Sequence, residues 1–300
     1  MISRYIKMLG YEDTIQLLEQ NERPLTPSLR VNPIKINTKV LLKRLQSKGF
    51  KLEPVNKIPY AFRVLQEPQN LGSLHEFLQG YYHLQNIASM LPPLILDPSP
   101  KDIVIDMCAA PGSKSTQLAS IMKNKGRLIL IEKDFERLKA LNANIRRLGV
   151  YNCITLNMDA SKIGQLGIKA DKILLDAPCT GEGLIRQDPS RKTSRTEKDL
   201  KKMAKIQKSL LLSGLNALKS GGYLLYSTCS IAPEENEFVI NDVLKKNPNT
   251  HIIKLKEDFG MKGFTEIFGK SLNSELVNTQ RIYPHIHNTI GFFICLLKKQ

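Results

Sequence analysis

The sequence contains no tryptophan, and aromatic residues fill only 6% of its 300 positions. Cysteine is sparse: five residues, at 108, 153, 179, 229 and 295, with an odd total and no CxxC pair. That excludes a disulfide framework and a zinc site built on paired cysteines, and it fits a reducing, cytoplasmic setting. No apolar run approaches the roughly 20 residues that cross a bilayer, so no membrane helix is expected. The opening stretch MISRYIKMLGYEDT is interrupted by charge and does not read as a signal peptide. Neither GxxxxGK[ST] nor GxGxxG occurs, and there is no internal repeat. His285 and His287 alternate around Ile286 as if on one side of a strand; without a cysteine partner they read as surface or core-edge residues, and no metal is expected.

Positive charge is what the chain has in excess. Lys and Arg total 44 against 28 acids, a net charge of +16. A surplus of this size favours a polyanionic partner, because each phosphate contact releases condensed counterions. Residues 1–90 hold 12 basic and 7 acidic residues, so neither end of the chain alone carries the surplus. The densest run, RQDPSRKTSRTEKDLKKMAKIQK (186–208), has nine basic residues and three acids. A solvated charged helix is the ordinary reading of such a run. Its functional reading is a set of phosphate contacts.

From residue 103 onward, short apolar runs alternate with helical patterns. DIVIDM (102–107), RLILIE (127–132), CITLNM (153–158), KILLDA (172–177) and YLLYS (223–227) read as strands. HIIKL (251–255) and FFICLL (292–297) bring the count to seven. SKSTQLASIM (113–122), FERLKALNANIRRLG and KIQKSLLLSGLNAL (205–218) read as helices; in the second, Leu138, Leu141, Ile145 and Leu148 share one face and Gly149 is a stop. The alternation predicts an α/β fold, a mostly parallel sheet with helices on both faces and ligands beyond the carboxyl ends of its strands. Residues 1–80 break this rhythm. SLRVN (28–32), KLEPV and AFRVLQ read as strands, and TKVLLKRLQSKG (38–49) as a helix burying Leu41, Leu42 and Leu45. They predict a small α+β domain, with the larger domain over 81–300. QGYYHLQNIASMLPPLIL (79–96) reads as a connecting helix. Tyr81, Tyr82 and His83 within it suit core packing better than stacking on a base.

Each strand end carries a motif. DMCAAPGSKST (106–116) places Cys108, Ala109, Ala110, Pro111, Gly112, Ser113 and Lys114 between the first strand and a helix. Small residues let the backbone approach a ligand, and the helix offers free N–H groups. A tight strand–helix connection explains that turn equally well. Glu132, 26 residues after Asp106, ends the second strand, where an acid can accept hydrogen bonds from both hydroxyls of a ribose. Asp159 follows the third strand, where an acid can meet an adenine edge, and Asp176 ends the fourth. Each alone reads as a surface acid; three at successive strand ends are harder to dismiss. DAPCTGEG (176–183) puts Cys179 where enzymes that methylate exocyclic amines carry an aromatic residue, which shifts the chemistry toward a carbon needing covalent activation. STCSIAPEE (227–235) puts Cys229 at another strand end, before Pro233 and a Glu pair that resemble a first helical turn. Buried cysteine usually serves as a small hydrophobe, the reading for Cys153 and Cys295. Cys108 lines the turn with its backbone. Cys179 and Cys229 are the functional candidates, and residue chemistry alone leaves either as the nucleophile.

In this order, DMCAAPGSKST, DAPCTGEG and YSTCSIAPEENE resemble the signature blocks of the Sun/Nop-type RNA (cytosine-5) methyltransferases, including their archaeal-type tRNA members. GYYHLQNIASMLPPLIL and RIYPHIHNTIGFFICLLKK resemble the flanking blocks, so the likeness covers roughly residues 28–300. The resemblance implies a class I, Rossmann-like methyltransferase domain using S-adenosylmethionine, preceded by an RNA-recognition-like domain. It implies that Cys229 is the nucleophile toward cytosine C6 and that Cys179 assists product release. Arg137 stands where the family has an arginine after the ribose acid. Asp176 is expected to polarise N3, and Lys114 to favour the thiolate. RNA is the implied partner, tRNA ahead of rRNA, with a non-catalytic RNA-binding assembly factor as the reading from another class. Many family members carry a Trp after the DAPC block where RKTSRTE stands here, and no further C-terminal RNA-binding domain is expected; both bear on substrate choice and not on the reaction.

Overall fold

The computed structural model describes residues 1–300. Its contacts divide the chain into two compact units. One comprises Thr26–Lys162 with Ala170–Leu174, the other Met1–Leu25 with Ile163–Lys169 and Leu175–Gln300.

The first unit opens with an antiparallel sheet of four strands, β1 (Ser28–Val31), β2 (Lys51–Pro54), β3 (Ala61–Gln66) and β4 (Tyr82–Leu84), in the order β2-β3-β1-β4. The helix Thr38–Ser47 lays Leu41 and Leu45, both fully buried, onto Leu29, Val31, Phe62 and Val64 of that sheet. Asn37 starts this helix by accepting a hydrogen bond from Lys39 N–H. The connecting helix expected over 79–96 is shorter. Tyr82, fully buried with its hydroxyl on Leu71 O, belongs to β4, and Asn86 caps a helix that spans only Ile87–Leu96.

The same unit continues with parallel strands β5 (Ile103–Asp106), β6 (Arg127–Glu132), β7 (Cys153–Asn157) and the first five residues of β8 (Ala170–Asp176), in the order β8-β5-β6-β7. Val104 and Ile105 of β5 and Leu128, Leu130 and Ile131 of β6 are buried, as expected of parallel strands covered on both faces. The helices Ser113–Ile121 and Phe135–Leu148 are the crossovers. Asp134 caps the second, and Gly149 closes it in the left-handed region at φ 73°.

In the second unit, Ala177 N–H donates to Ser227 O of β9 (Leu218–Thr228) just after the end of β8. Then come β10 (Thr250–Ile252), β11 (Met261–Lys262), the small hairpin β12 (Glu266–Ile267) and β13 (Lys270–Ser271), β14 (Gln280–Ile282) and β15 (Phe292–Lys299). β15 runs antiparallel to β9, β10 and β14, and β11 pairs with β14. The strands of the α/β fold therefore number nine where seven were expected. The extra two, β11 and β14, are two or three residues long and too short to form an apolar run.

Three local expectations change. The helix read at 205–218 spans Glu197–Ala217, because Thr196 and Asp199 form a capping box within the charged run. Its buried stripe runs through Leu200, Ala204, Gln207, Leu211 and Leu215. The helix after Cys229 begins at Glu237 and not at Pro233. Pro284–His287 is one helical turn instead of a strand; Pro284 occupies its first turn and Asn288 ends it at φ 47°. The helices Ile2–Leu9 and Tyr11–Glu22 bury Tyr5, Met8 and Leu17 among Ile231, Ile267 and Tyr283 of the second unit. No helix is long and apolar enough to cross a membrane.

Candidate active site

In the first unit the chain leaves β5 at Asp106 and turns through Met107–Gly112 into the helix Ser113–Ile121. Asp106, 1% exposed, accepts from Ser115 Oγ at 2.7 Å and from Cys108 N–H at 3.4 Å. Ala109 N–H donates to Ile131 O at 2.9 Å, so the turn is stitched to β6. The Ala110–Pro111 bond is cis, and Gly112 sits at φ 105°, where a Cβ would come within 3.0 Å of Leu141. Only glycine holds that conformation cheaply. Cys108 and Lys114 are half-buried, Ala109 and Ala110 buried, and Pro111 exposed.

Glu132 is 4% exposed at the end of β6. Its Oε2 accepts from Ala110 N–H at 3.3 Å and its Oε1 from Asp134 N–H at 2.9 Å. A carboxylate offers about four lone pairs, so both oxygens keep acceptor capacity for a diol. Arg137 lies 3.6 Å from Glu132 and donates to Ala110 O at 2.7 Å, which makes it a brace for the turn. Asp159 accepts from Lys133 Nζ at 2.9 Å and Ser161 N–H at 3.0 Å. The Lys133 bond, with the Ser161 bonds, lowers its carboxyl to about 2, so it is an anion at neutral pH.

In the second unit the two motif cysteines meet. Cys179 Sγ and Cys229 Sγ are 3.1 Å apart, and both are free thiols. Cys179 is pushed well above the ordinary thiol range, first by its hydrogen bond to Cys229, then by burial and by the charges of Glu235 and Asp176. Burial and the neighbouring acids thus hold Cys179 as a thiol at neutral pH, beside the Cys229 sulfur. Asp176 Oδ1 accepts from Ser227 Oγ at 2.8 Å, which holds the end of β8 against β9.

The loop carrying Cys179 hangs on Glu235, a residue the motif reading passed over. Glu235 is fully buried; its carboxylate accepts from Thr180 N–H at 2.8 Å, Thr180 Oγ1 at 2.6 Å and Gln207 Nε2 at 3.0 Å. Gln207 also donates to Pro178 O at 2.9 Å. On the far side Gly183 N–H donates to Cys229 O, and a Cβ at Gly183 would stand 2.1 Å from Gly291 O. Glycine there is a requirement of backbone contact. Arg4 ties the loop to the turn after Cys229 through Glu182 at 3.0 Å and Glu234 at 2.8 Å. The PEE stretch hinted at Glu235 only as a helix start; nothing local marked Gln207, Gly291 or Arg4.

A second missed group braces the first unit. Arg30 is buried, 5% exposed, and has no carboxylate partner; it donates to Gln85, Ser113 O, Thr116 and Gln117. Burial, and then Arg147, lower its guanidinium to about 9. Arg147 donates to His83 Nδ1 at 2.9 Å, and His83 Nε2 lies 2.8 Å from Ser113 Oγ. Arginine only donates, so Nδ1 accepts and Nε2–H donates to Ser113. Two cationic side chains thus fix Ser113, the first residue of the helix after the turn.

Strands β5 and β6, with this turn and the acid that closes β6, make the fold the Rossmann-like α/β fold of S-adenosylmethionine-dependent methyltransferases, accompanied by a small antiparallel α+β domain. The family model described as 16S rRNA methyltransferase RsmB/F matches residues 93–298, and that for the N-terminal domain of 16S rRNA methyltransferase RsmF matches 1–87. The chain belongs to this family. It is similar to a mouse 28S rRNA (cytosine-C(5))-methyltransferase, 38% identical over 100% of this chain and 38% of the relative. It is also similar to a tRNA (cytosine(72)-C(5))-methyltransferase of Pyrococcus horikoshii, 41% identical over 77% of this chain and 55% of that one. A crystal structure of a methyltransferase homolog protein from the same organism superposes with a TM-score of 0.91 at 42% identity, covering 99% of this chain and 94% of that one. The chain thus spans about two fifths to just over half of the two curated relatives' lengths. The family's cofactor is S-adenosylmethionine, and the small-residue turn into a helix N-terminus and the buried Glu132 fit an adenosyl ligand.

Proposed function

We propose that the chain methylates C5 of cytosine in RNA, with Cys229 as the nucleophile. The observation that carries this reading is the cysteine pair, 3.1 Å apart, in which Cys179 is held as a thiol. C5 of cytosine is a poor nucleophile. Addition of the Cys229 sulfur to C6 converts the ring to an enamine whose C5 attacks an electrophilic methyl group. S-adenosylmethionine supplies that methyl when bound. Transfer of the C5 proton to water then restores the C5–C6 double bond and expels the Cys229 sulfur as a thiolate, and the Cys179 thiol stands 3.1 Å away to return a proton to it. We assign Asp176 to polarise N3, Lys114 to favour the ionised Cys229, and residues 108–114 with Glu132, Arg137, Asp159 and Asp176 to hold the cofactor. A cytosine must leave its stack to present C6 to a thiolate, so base flipping belongs to this reading.

We read residues 1–80 as the RNA-recognising part and 81–300 as the catalytic part, working in a reducing cytoplasm that agrees with five free thiols. tRNA is the substrate we place first, supported by the 41% identity to the archaeal tRNA enzyme. rRNA is the second reading, favoured by the family models and by the mouse relative that aligns with the whole chain. Transfer of labelled methyl to unmodified tRNA and rRNA transcripts tests both. The expected result is 5-methylcytosine in tRNA with wild type and none with Cys229→Ala. Full activity in Cys229→Ala would remove the proposed nucleophile, and labelling of rRNA alone would select the second reading.

A further inference from the structure

The turn that holds the Cys179 loop has a second face. Glu235 points inward to Thr180, while its neighbour Glu234 lines a groove of about 950 Å³ in the same unit. Lys201, Lys205 and Lys208 reach this groove from one face of the helix Glu197–Ala217. Lys245 reaches it from just beyond the helix Glu237–Leu244, and Lys270 from β13. Two acids face these lysines, and both are already taken: Asp242 pairs with Lys208, and Glu234 with Arg4. Lys201, Lys205 and Lys245 are exposed and have no carboxylate partner. By contrast Lys48, Lys133, Lys139 and Lys192 elsewhere on the surface are each paired with an acid.

The groove is also aromatic. Phe238 and Phe268 line it, both half-buried, each resting on the core around Tyr5 and Ile231. Lys270 Nζ lies 4.9 Å from the Phe238 ring centre. Phe268 sits at φ 52°, a left-handed conformation costly for a bulky residue. The same phenyl, with Lys201 and Glu234, lines an adjoining groove of about 400 Å³ that adds two cations, Arg4 and Lys7, and one further acid, Glu197. The two share Lys201, Glu234 and Phe268 and so form one basic trough, joined to the cysteine loop through the Arg4–Glu182 pair.

Resting on the reading of the chain as an RNA methyltransferase, we infer that this trough binds a single-stranded segment of the RNA next to the target cytosine. Unpaired Lys201 and Lys205 from one helix and Lys245 from the end of the next supply point charges for successive phosphates, and phenyl faces between them supply stacking platforms for unpaired bases. A duplex would hide its bases from those platforms.

The test is binding of a fluorescein-labelled, unstructured RNA 12-mer to the full chain by anisotropy across a salt series. KM for a methyl-accepting transcript is measured alongside. Lys205→Glu with Lys245→Glu removes two exposed, unpaired charges; Phe268→Leu keeps the volume and removes the π face. The charge variant should weaken binding at least tenfold and lower the slope of log K against log salt by about 1.4, two single-strand phosphates' worth, with a matching rise in KM. Phe268→Leu should weaken binding several-fold with the slope unchanged. Methylation with unaltered KM and affinity in both variants would overturn the trough while leaving the methyltransferase reading intact. Loss of oligonucleotide binding in the variants, in a wild type that binds but transfers no methyl, would support the trough and remove that reading. Equal competition by polyglutamate of matched charge would overturn RNA as the occupant.

Discussion

Cys179 and Cys229 stand 50 residues apart in the chain and 3.1 Å apart at sulfur. One ends the turn after β8 and the other follows β9, and burial with the nearby acids holds Cys179 as a thiol. With Cys179 held as a thiol, the proposed reaction gives the two sulfurs different tasks.

Replacing Cys179 by Ala removes the thiol facing the Cys229 sulfur and leaves the proposed nucleophile in place. Addition to C6 should persist while breakdown slows. A protein–RNA band resistant to denaturing electrophoresis should therefore accumulate in Cys179→Ala and not in Cys229→Ala. Its absence from both variants would remove the proposed division of labour.

Glu235→Gln sets an amide where a carboxylate accepts three hydrogen bonds. With the NH₂ at the Oε1 place it faces the Thr180 and Gln207 N–H donors, and at the Oε2 place the Thr180 hydroxyl must turn to accept and its O–H loses its partner. Either way a buried donor is left unpaired at a cost of about 1–3 kcal/mol. A lower urea midpoint with an unchanged m-value should accompany loss of methyl transfer. Wild-type stability would mean the carboxylate does not hold the loop.

His83 is lowered to about 3, first by burial and then by Arg30 and Arg147. The unfolded chain takes up this proton below about 6.5, while the folded chain refuses it until about 3. Between those values the unfolded state binds more protons, so stability is present above pH 6.5 and is lost as pH falls toward 3. His83→Gln keeps one acceptor and one donor and cannot titrate. Its thermal midpoint should vary less with pH over that window than wild type's, and parallel curves would contradict the assignment.

Arg281, 2% exposed, makes a double hydrogen bond to the fully buried Glu237, and its guanidinium also reaches Ile231 O and Tyr283. Burial opposes its charge, yet Glu237 more than offsets that and raises its pKa. Arg281→Met should cost about 3–5 kcal/mol by stranding Glu237, and adding Glu237→Met should recover most of it. Denaturant melts of the two variants check the difference.

Much of the α/β scaffold was legible locally. RLILIE became β6 without a change of boundary, because a parallel strand buried on both faces is an unbroken apolar run. Gly149 ended its helix as read, because a left-handed residue marks a C-terminus regardless of context. β11 and β14 were not legible, since strands of two or three residues take their identity from the neighbour they bond. Nor was the helix start at Glu197, whose capping box lay inside a run dominated by charge.

By itself the sequence determined the alternation of strands and helices, the acids and small residues at strand ends, and the cysteines as candidates for chemistry. These depend on neighbours a few residues away. Only the tertiary structure decided that Cys179 and Cys229 meet at sulfur, that Glu235 and Gln207 suspend the loop between them, and that Arg30 braces Ser113 from 83 residues away. Those relations are contacts between distant segments, and their strength comes from burial that exists only once the chain has closed around them.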